Sequence, residues 1–76
     1  MPRLPIVDGR QALRALERAG FQIIRPKGSH HFVRRTGASV RSVTIPVHGN
    51  RDLAPGTLRA IIDQAGLSVE EFIALL

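Results

Sequence analysis

Histidine is the side chain whose ordinary pKa best suits proton transfer near neutrality. The chain holds three, His30, His31 and His48, and all fall in one stretch free of carboxylates. From Phe21 to Arg51 there is no Asp or Glu, while Arg25, Lys27, Arg34, Arg35, Arg41 and Arg51 supply six positive charges. The rest of the chain carries five basic and six acidic residues, so this stretch holds the excess behind a formal net charge of +5. Beside a phosphodiester, an imidazole can take the proton of a ribose 2′-OH, or an imidazolium can protonate the departing 5′ oxygen. Arg and Lys would stabilise the charge developing on the phosphorane. Such a cleavage uses no metal and works only on RNA, because the 2′-OH is the nucleophile.

Plainer readings stand beside this one. A histidine pair at a strand start can be a solvated or hydrogen-bonded surface pair, and a run of cations can be a solvated face. Three histidines could bind zinc, but adjacent His30 and His31 point to opposite faces of a strand, with no acidic residue nearby to complete or orient a metal shell. Gly28-Ser29 reads equally as a turn and as exposed backbone N–H groups that a phosphate could approach closely. A Walker loop, a GxGxxG, a HExxH and a nucleophile elbow are all missing. Ser29 beside His30 could imitate a nucleophile and base, yet nothing acidic is close in sequence to orient the imidazole.

The elements that must position these groups follow from periodicity. With 76 residues, a single domain spanning 1–76 is expected, too small to enclose a deep cofactor cavity. No cofactor and no metal are expected. Apolar residues make up 43% of the chain with no cysteine, so packing alone, not disulfides or thiolate zinc, must hold the fold. No apolar run approaches the ~20 residues of a membrane span, and the first residues lack the apolar stretch of a secretory signal, so a cytoplasmic protein is expected. Met1 to Val7, with two prolines, reads as an irregular lead-in.

Asp8 with Gln11 forms a capping box, Val7 and Ala12 are placed as its hydrophobic staple, and Gly20 is placed to end the helix. Ala12, Leu13, Leu16 and Ala19 form its apolar stripe. From Phe21 the period becomes two: Phe21, Ile23 and Arg25 alternate against Gln22, Ile24 and Pro26 in a first strand. A second runs from His30 to about Thr36, a turn falls at Thr36-Gly37-Ala38-Ser39, and a third runs from about Val40 to Ile45, with Val43, Ile45 and Val47 on one face. In the second strand His30, Phe32 and Arg34 share one face and His31, Val33 and Arg35 the other. Each face has an apolar claimant, so pattern leaves open which histidine meets solvent. A second helix begins near Pro55-Gly56-Thr57 with Leu58, Ile61, Ile62 and Ala65 as its stripe, and Gly66 closes it. Ser68 and Glu71 form another capping box, with Leu67 and Phe72 placed as its staple, for a last helix over about Val69 to Leu76. The expectation is an α+β fold of two layers and order α-β-β-β-α-α, a three-stranded antiparallel sheet packed by helices on one face. Its other face would be open and cationic.

Gly20-Phe21 with Arg25, then Lys27-Gly28-Ser29-His30-His31, Thr44-Ile45-Pro46-Val47-His48, and Asp52-Leu53-Ala54-Pro55-Gly56-Thr57-Leu58-Arg59-Ala60-Ile61 running on to Gln64-Ala65-Gly66-Leu67-Ser68 together resemble the HicA family, the toxins of HicA/HicB toxin-antitoxin pairs. The resemblance covers nearly the whole chain in order. It implies a double-stranded-RNA-binding-domain-like architecture and an mRNA interferase activity, a metal-independent endoribonuclease that blocks translation. The family's key histidine follows a Gly-Ser pair and maps onto His30, with Gly28, Ser29, His31 and His48 as possible supports. His48 also matches a family histidine; at the end of the third strand it could help bind RNA or hold the following loop, and a merely structural role stands as an equal alternative. Asp8 stands where relatives carry Ser or Thr as helix cap. The implied partner is a HicB-type antitoxin covering the basic face and the histidine.

The leading expectation is therefore a ribonuclease toxin in which His30 transfers protons, Gly28 permits close approach, and Lys27, Arg34, Arg35 and Arg41 position the RNA backbone. A non-catalytic RNA-binding module using the same face is the alternative. A third is an interaction protein whose basic face meets an acidic partner. Neither helix flanking the sheet is predominantly basic, which argues against DNA binding.

Overall fold

The computed structural model describes residues 3–37 and 39–76. Its element order is α1 (Gly9–Arg18), β1 (Gln22–Lys27), β2 (His30–Arg35), β3 (Arg41–Pro46), α2 (Pro55–Ala65) and α3 (Val69–Ala74). The expected α+β arrangement is present: an antiparallel sheet of order β1-β2-β3 with the helices on one face. Met1 and Pro2 of the lead-in, and Ala38 of the expected turn, lie outside the described residues.

Each helix is bounded by the signals its sequence carries. The Asp8 carboxylate accepts from Gln11 N at 2.9 Å, and Gln11 Oε1 accepts from Asp8 N at 2.9 Å, closing the box at the start of α1. At its end Phe21 N donates to Leu16 O and Gly20 N to Glu17 O, the paired bonds of a Schellman motif. Gly66 ends α2 the same way, with Leu67 N bonded to Ile62 O and Gly66 N to Asp63 O. α2 begins at Pro55 behind Ala54, which has no side chain to cap it. α3 starts on the reciprocal Ser68–Glu71 box. There the Ser68 N–H, and secondarily its hydroxyl, holds the Glu71 carboxyl below the usual carboxylate range. α3 stops at Ala74 rather than Leu76; Leu75 N and Leu76 N close the last turn on Phe72 O and Ile73 O, and Arg18 Nη1 donates to Leu75 O at 2.7 Å and Leu76 O at 3.1 Å.

The core gathers where the helix stripes meet one sheet face. Leu16 from α1, Val33, Val43 and Ile45 from the sheet, Leu58, Ile61 and Ile62 from α2, and Phe72 from α3 are all essentially inaccessible. Each such side chain contributes about 1.5–3 kcal/mol relative to exposure. The stripe of α1 is rotated from the expected one: Ala12, Ala15 and Leu16 are fully buried, while Leu13 and Ala19 are only partly covered. β2 ends one residue earlier than expected, and β3 is shifted by one residue at both ends. β2 stops at Arg35, and β3 runs from Arg41 through Pro46, which tolerates the last ladder position because its missing N–H lies at a strand end.

The first strand departs from its expected alternation. Phe21 is not part of it; as the residue after the Schellman glycine it turns into the core at 2% exposure. Within the strand Ile23 pairs with Val33 and Arg25 with Phe32, leaving Ile24 as the extra residue of a bulge. A bulge advances the side-chain parity by one. Arg25 and Lys27, which strict alternation puts with Ile23, therefore turn to the opposite face. The bulge, Pro26 and the two cations also blunt this exposed outer strand against pairing with other chains.

α1 meets the end of β3 at Gly9. A β-carbon there would run into the Pro46 carbonyl oxygen and stand 2.9 Å from Val47 Cα. Gly→Ala in a helix ordinarily stabilises by roughly 1 kcal/mol, so the sign of Gly9→Ala is diagnostic. We expect it to destabilise by about 1–3 kcal/mol, lowering the thermal midpoint by roughly 4–8 °C per kcal/mol. Thermal unfolding followed by circular dichroism measures this, with exposed Arg10→Ala as the near-neutral control.

Candidate active site on the open sheet face

Directly paired residues of an antiparallel ladder share a face. The register of β2 against both neighbours therefore sorts every side chain. Val33 is 1% exposed and faces the helices, which brings His31 and Arg35 with it and turns His30, Phe32 and Arg34 outward. On the outward side, Lys27 and Pro46 flank His30, Arg25 and Thr44 flank Phe32, and Gln22 and Ser42 flank Arg34. No carboxylate stands among these residues. The open face is thus a patch of three cations around a half-buried Phe32, with His30 at one rim.

The rim is shaped by a two-residue hairpin. Lys27 pairs with His30, and Gly28 and Ser29 form the loop between them. Gly28 has φ +59° while Ser29 does not have positive φ, the pattern of a type II′ turn that asks for glycine first. A β-carbon at Gly28 would meet nothing within 4 Å, so the backbone is open to a ligand there. The loop is pinned to the third strand by Val47 N donating to Ser29 O at 2.6 Å. Ser29 Oγ lies 3.5 Å from His30 Nδ1, the outer limit of a hydrogen bond.

The same pin brings His48 to the rim. Its exposed ring stands edge-on to His30, with centroids 6.2 Å apart and planes at 84°. The loop that follows is fixed by Arg51 N bonding His48 O at 3.0 Å and Leu53 N bonding Val7 O at 2.9 Å, beside a bridge between Asp8 and Asp52. A shallow cleft of about 250 Å³ opens there, lined in part by His48, Arg51, Asp52 and Thr57.

The other expected residues are differently placed. His31 is half-buried on the helix side, and its Nδ1 is buried without a hydrogen-bond partner. Arg35 lies over the Phe21 ring at 5.0 Å and donates from Nη1 to Ala19 O at 3.3 Å, at the end of α1. Arg41 packs against Gly66 and donates to Gln64 O at 3.4 Å, at the end of α2. So of the four cations singled out in the sequence, Lys27 and Arg34 share the face of His30, whereas Arg35 and Arg41 meet helix carbonyls on the opposite one. Two cations that the sequence reading did not select, Arg25 and Arg51, stand near the histidines. Arg25 was hidden by the bulge, and Arg51 by a loop whose path no periodicity announces. Among the described residues, no group of three or more His, Asp or Glu side chains gathers as a metal site. Nor is any described helix long and apolar enough to cross a membrane.

The fold and this face define a small α+β protein with a cationic, histidine-edged sheet surface. A family model described as the HicA toxin of bacterial toxin-antitoxin systems matches residues 9–67, and the chain belongs to that family. A search of curated proteins gives no match. Membership makes the chain the toxin side of a toxin-antitoxin pair, whose antitoxin partner is typically of the HicB kind.

The division of the arginines makes a stability contrast. Arg35→Ala should cost about 1 kcal/mol through the lost cation–π contact and helix-end charge, whereas exposed Arg34→Ala should stay within about 0.5 kcal/mol of wild type. Urea unfolding of the two variants checks this; equal values would contradict the division.

Proposed function

We propose that the chain is a metal-independent endoribonuclease toxin that cleaves mRNA and so blocks translation, with His30 as a proton-transfer residue. The observation that carries this reading is the outward turn of His30 onto a carboxylate-free face shared with Arg25, Lys27 and Arg34. There an imidazole can exchange a proton with a ribose 2′-OH or a 5′ oxygen while the cations hold the backbone phosphates and offset the phosphorane charge. The open backbone at Gly28 gives a phosphate room beside the ring. The layered α+β fold is in keeping with a double-stranded-RNA-binding-domain-like architecture. The HicB-type antitoxin, in this reading, covers the cationic face and His30 with acidic groups, and the toxin works in the cytoplasm, where its message is.

A second reading, a non-catalytic RNA-binding module, is favoured by Phe32. A half-exposed aromatic ringed by cations is a platform on which an unpaired base can stack. It predicts binding without cleavage.

The deciding experiment incubates purified protein with a long single-stranded RNA in EDTA, with every variant checked for folding by circular dichroism. Wild type and His31→Leu should cut, and His30→Ala should lose about 10²-fold or more of the rate while still binding. His31→Leu also removes the unpaired Nδ1, so its stability should be unchanged or higher. Equal cleavage by wild type and His30→Ala would refute the assignment, and binding by both without cleavage would favour the module.

The salt dependence of RNA affinity gives an independent check. Arg25→Ala and Lys27→Ala should each flatten the logarithmic slope by about one, and Arg35→Ala should leave it unchanged. A slope altered only by Arg35→Ala would move the interface to the other face.

A further inference from the structure

Phosphodiester transfer to a 2′-OH has two proton problems. The attacking hydroxyl must lose a proton as the 2′-O–P bond forms, and the 5′ oxygen must gain one as its bond to phosphorus breaks. A single imidazole would have to serve both ends in turn. We propose, building on the ribonuclease reading above, that His48 is the second proton-transfer residue and that His30 and His48 act as an acid and base pair on one phosphodiester.

Four observations carry this. First, the two rings are the only pair of exposed imidazoles brought together among the described residues, with centroids 6.2 Å apart and planes at 84°. That separation leaves their ring nitrogens able to address different oxygens of one phosphate. Second, the approach is built rather than incidental to a loose loop. His30 pairs with Pro46, Val47 N bonds Ser29 O, and Arg51 N bonds His48 O, so both rings hang from one hydrogen-bonded frame. Third, neither ring is engaged by a carboxylate or buried in the core. Fourth, a cleft lined by Arg51 and Asp52 among others opens beside His48, giving the strand leaving the scissile phosphate a place to run.

The step balances without a co-reactant. One imidazole accepts the 2′-OH proton, the 2′ oxygen attacks phosphorus, and the P–O5′ bond breaks. The other histidine, as imidazolium, gives its proton to O5′, leaving a 2′,3′-cyclic phosphate and a 5′-hydroxyl. The charged and titratable groups facing His48 are His30 from β2 and Arg51 and Asp52 from its own loop; Ala54 and Thr57, which line the cleft at the start of α2, bring none.

The test uses the full chain and an RNA oligonucleotide with one mapped cleavage site. Wild type should show a bell-shaped dependence of kcat/KM on pH, since one histidine must be neutral and the other protonated. His48→Ala and His48→Gln should each lower kcat by about 10²-fold or more, keep RNA affinity within about threefold, and lose one limb of the bell. An oligonucleotide with a bridging 5′ sulfur at the scissile bond, whose thiolate departs without protonation, should restore one histidine variant and not the other. That outcome assigns acid and base. Wild-type kcat in both His48 variants, or a loss confined to KM, would overturn the pair while leaving His30 and the ribonuclease reading intact. Restoration of neither His30→Ala nor His48→Ala by the bridging sulfur, or of both alike, would also overturn it. Absence of cleavage by wild type would overturn the ribonuclease reading and the pair together.

Discussion

The site depends on Val33 facing inward. Because side chains of a strand alternate, burying this one valine against the helices decides the facing of all six residues of β2. Reversing the choice would bury His30 and Arg34 and expose Val33. It would also take Arg35 away from the Phe21 ring and the Ala19 carbonyl that receive it on the helix side. Both neighbouring strands inherit the choice through the ladder: Val43 and Ile45 turn inward, while Lys27, Arg25 and Thr44 turn outward. The cationic open face is in this sense a by-product of one buried methyl-bearing side chain and its register.

The positive charge serves two distinct ends. Three arginines close the three helices, Arg35 at α1, Arg41 at α2 and Arg18 at α3, each donating to a carbonyl at or just past the helix end. Helix C-termini carry partial negative charge and unpaired carbonyls, and a guanidinium answers both. In a chain this small, tying helix ends to distant strands and helices adds long-range connections that a limited core does not supply. Of the remaining cations, Arg25, Lys27 and Arg34 lie on the open face and Arg51 beside His48, where they can meet a phosphate or an acidic protein.

Much of this was legible in the sequence because the signals were local. The capping boxes at Asp8–Gln11 and Ser68–Glu71, the stripe of α2, the closing glycines and the strand order all rest on residues a few positions apart. What escaped were features that need a partner to exist. The bulge at Ile24 arises only when β1 is laid against β2, and it alone moved Arg25 and Lys27 to the open face. The facing of β2 was a tie between Phe32 and Val33 until the helices chose. Arg35 and Arg41 were grouped with Lys27 and Arg34 by charge alone, whereas their neighbours Ala19, Gln64 and Phe21 are distant in sequence. The approach of His48 to His30 likewise depends on a bond from Val47 to Ser29 across eighteen positions.

The central claim is that the open face performs transfer to a 2′-OH. Its most direct test is the chemistry of the cut ends, read by mass spectrometry of fragments from a defined RNA and from the same RNA with a single 2′-deoxy nucleotide at the mapped site. Transfer to the 2′-OH leaves 2′,3′-cyclic phosphate and 5′-hydroxyl ends, and makes no cut at the deoxy position. A 5′-phosphate end, or cleavage that persists without the 2′-OH, would contradict it.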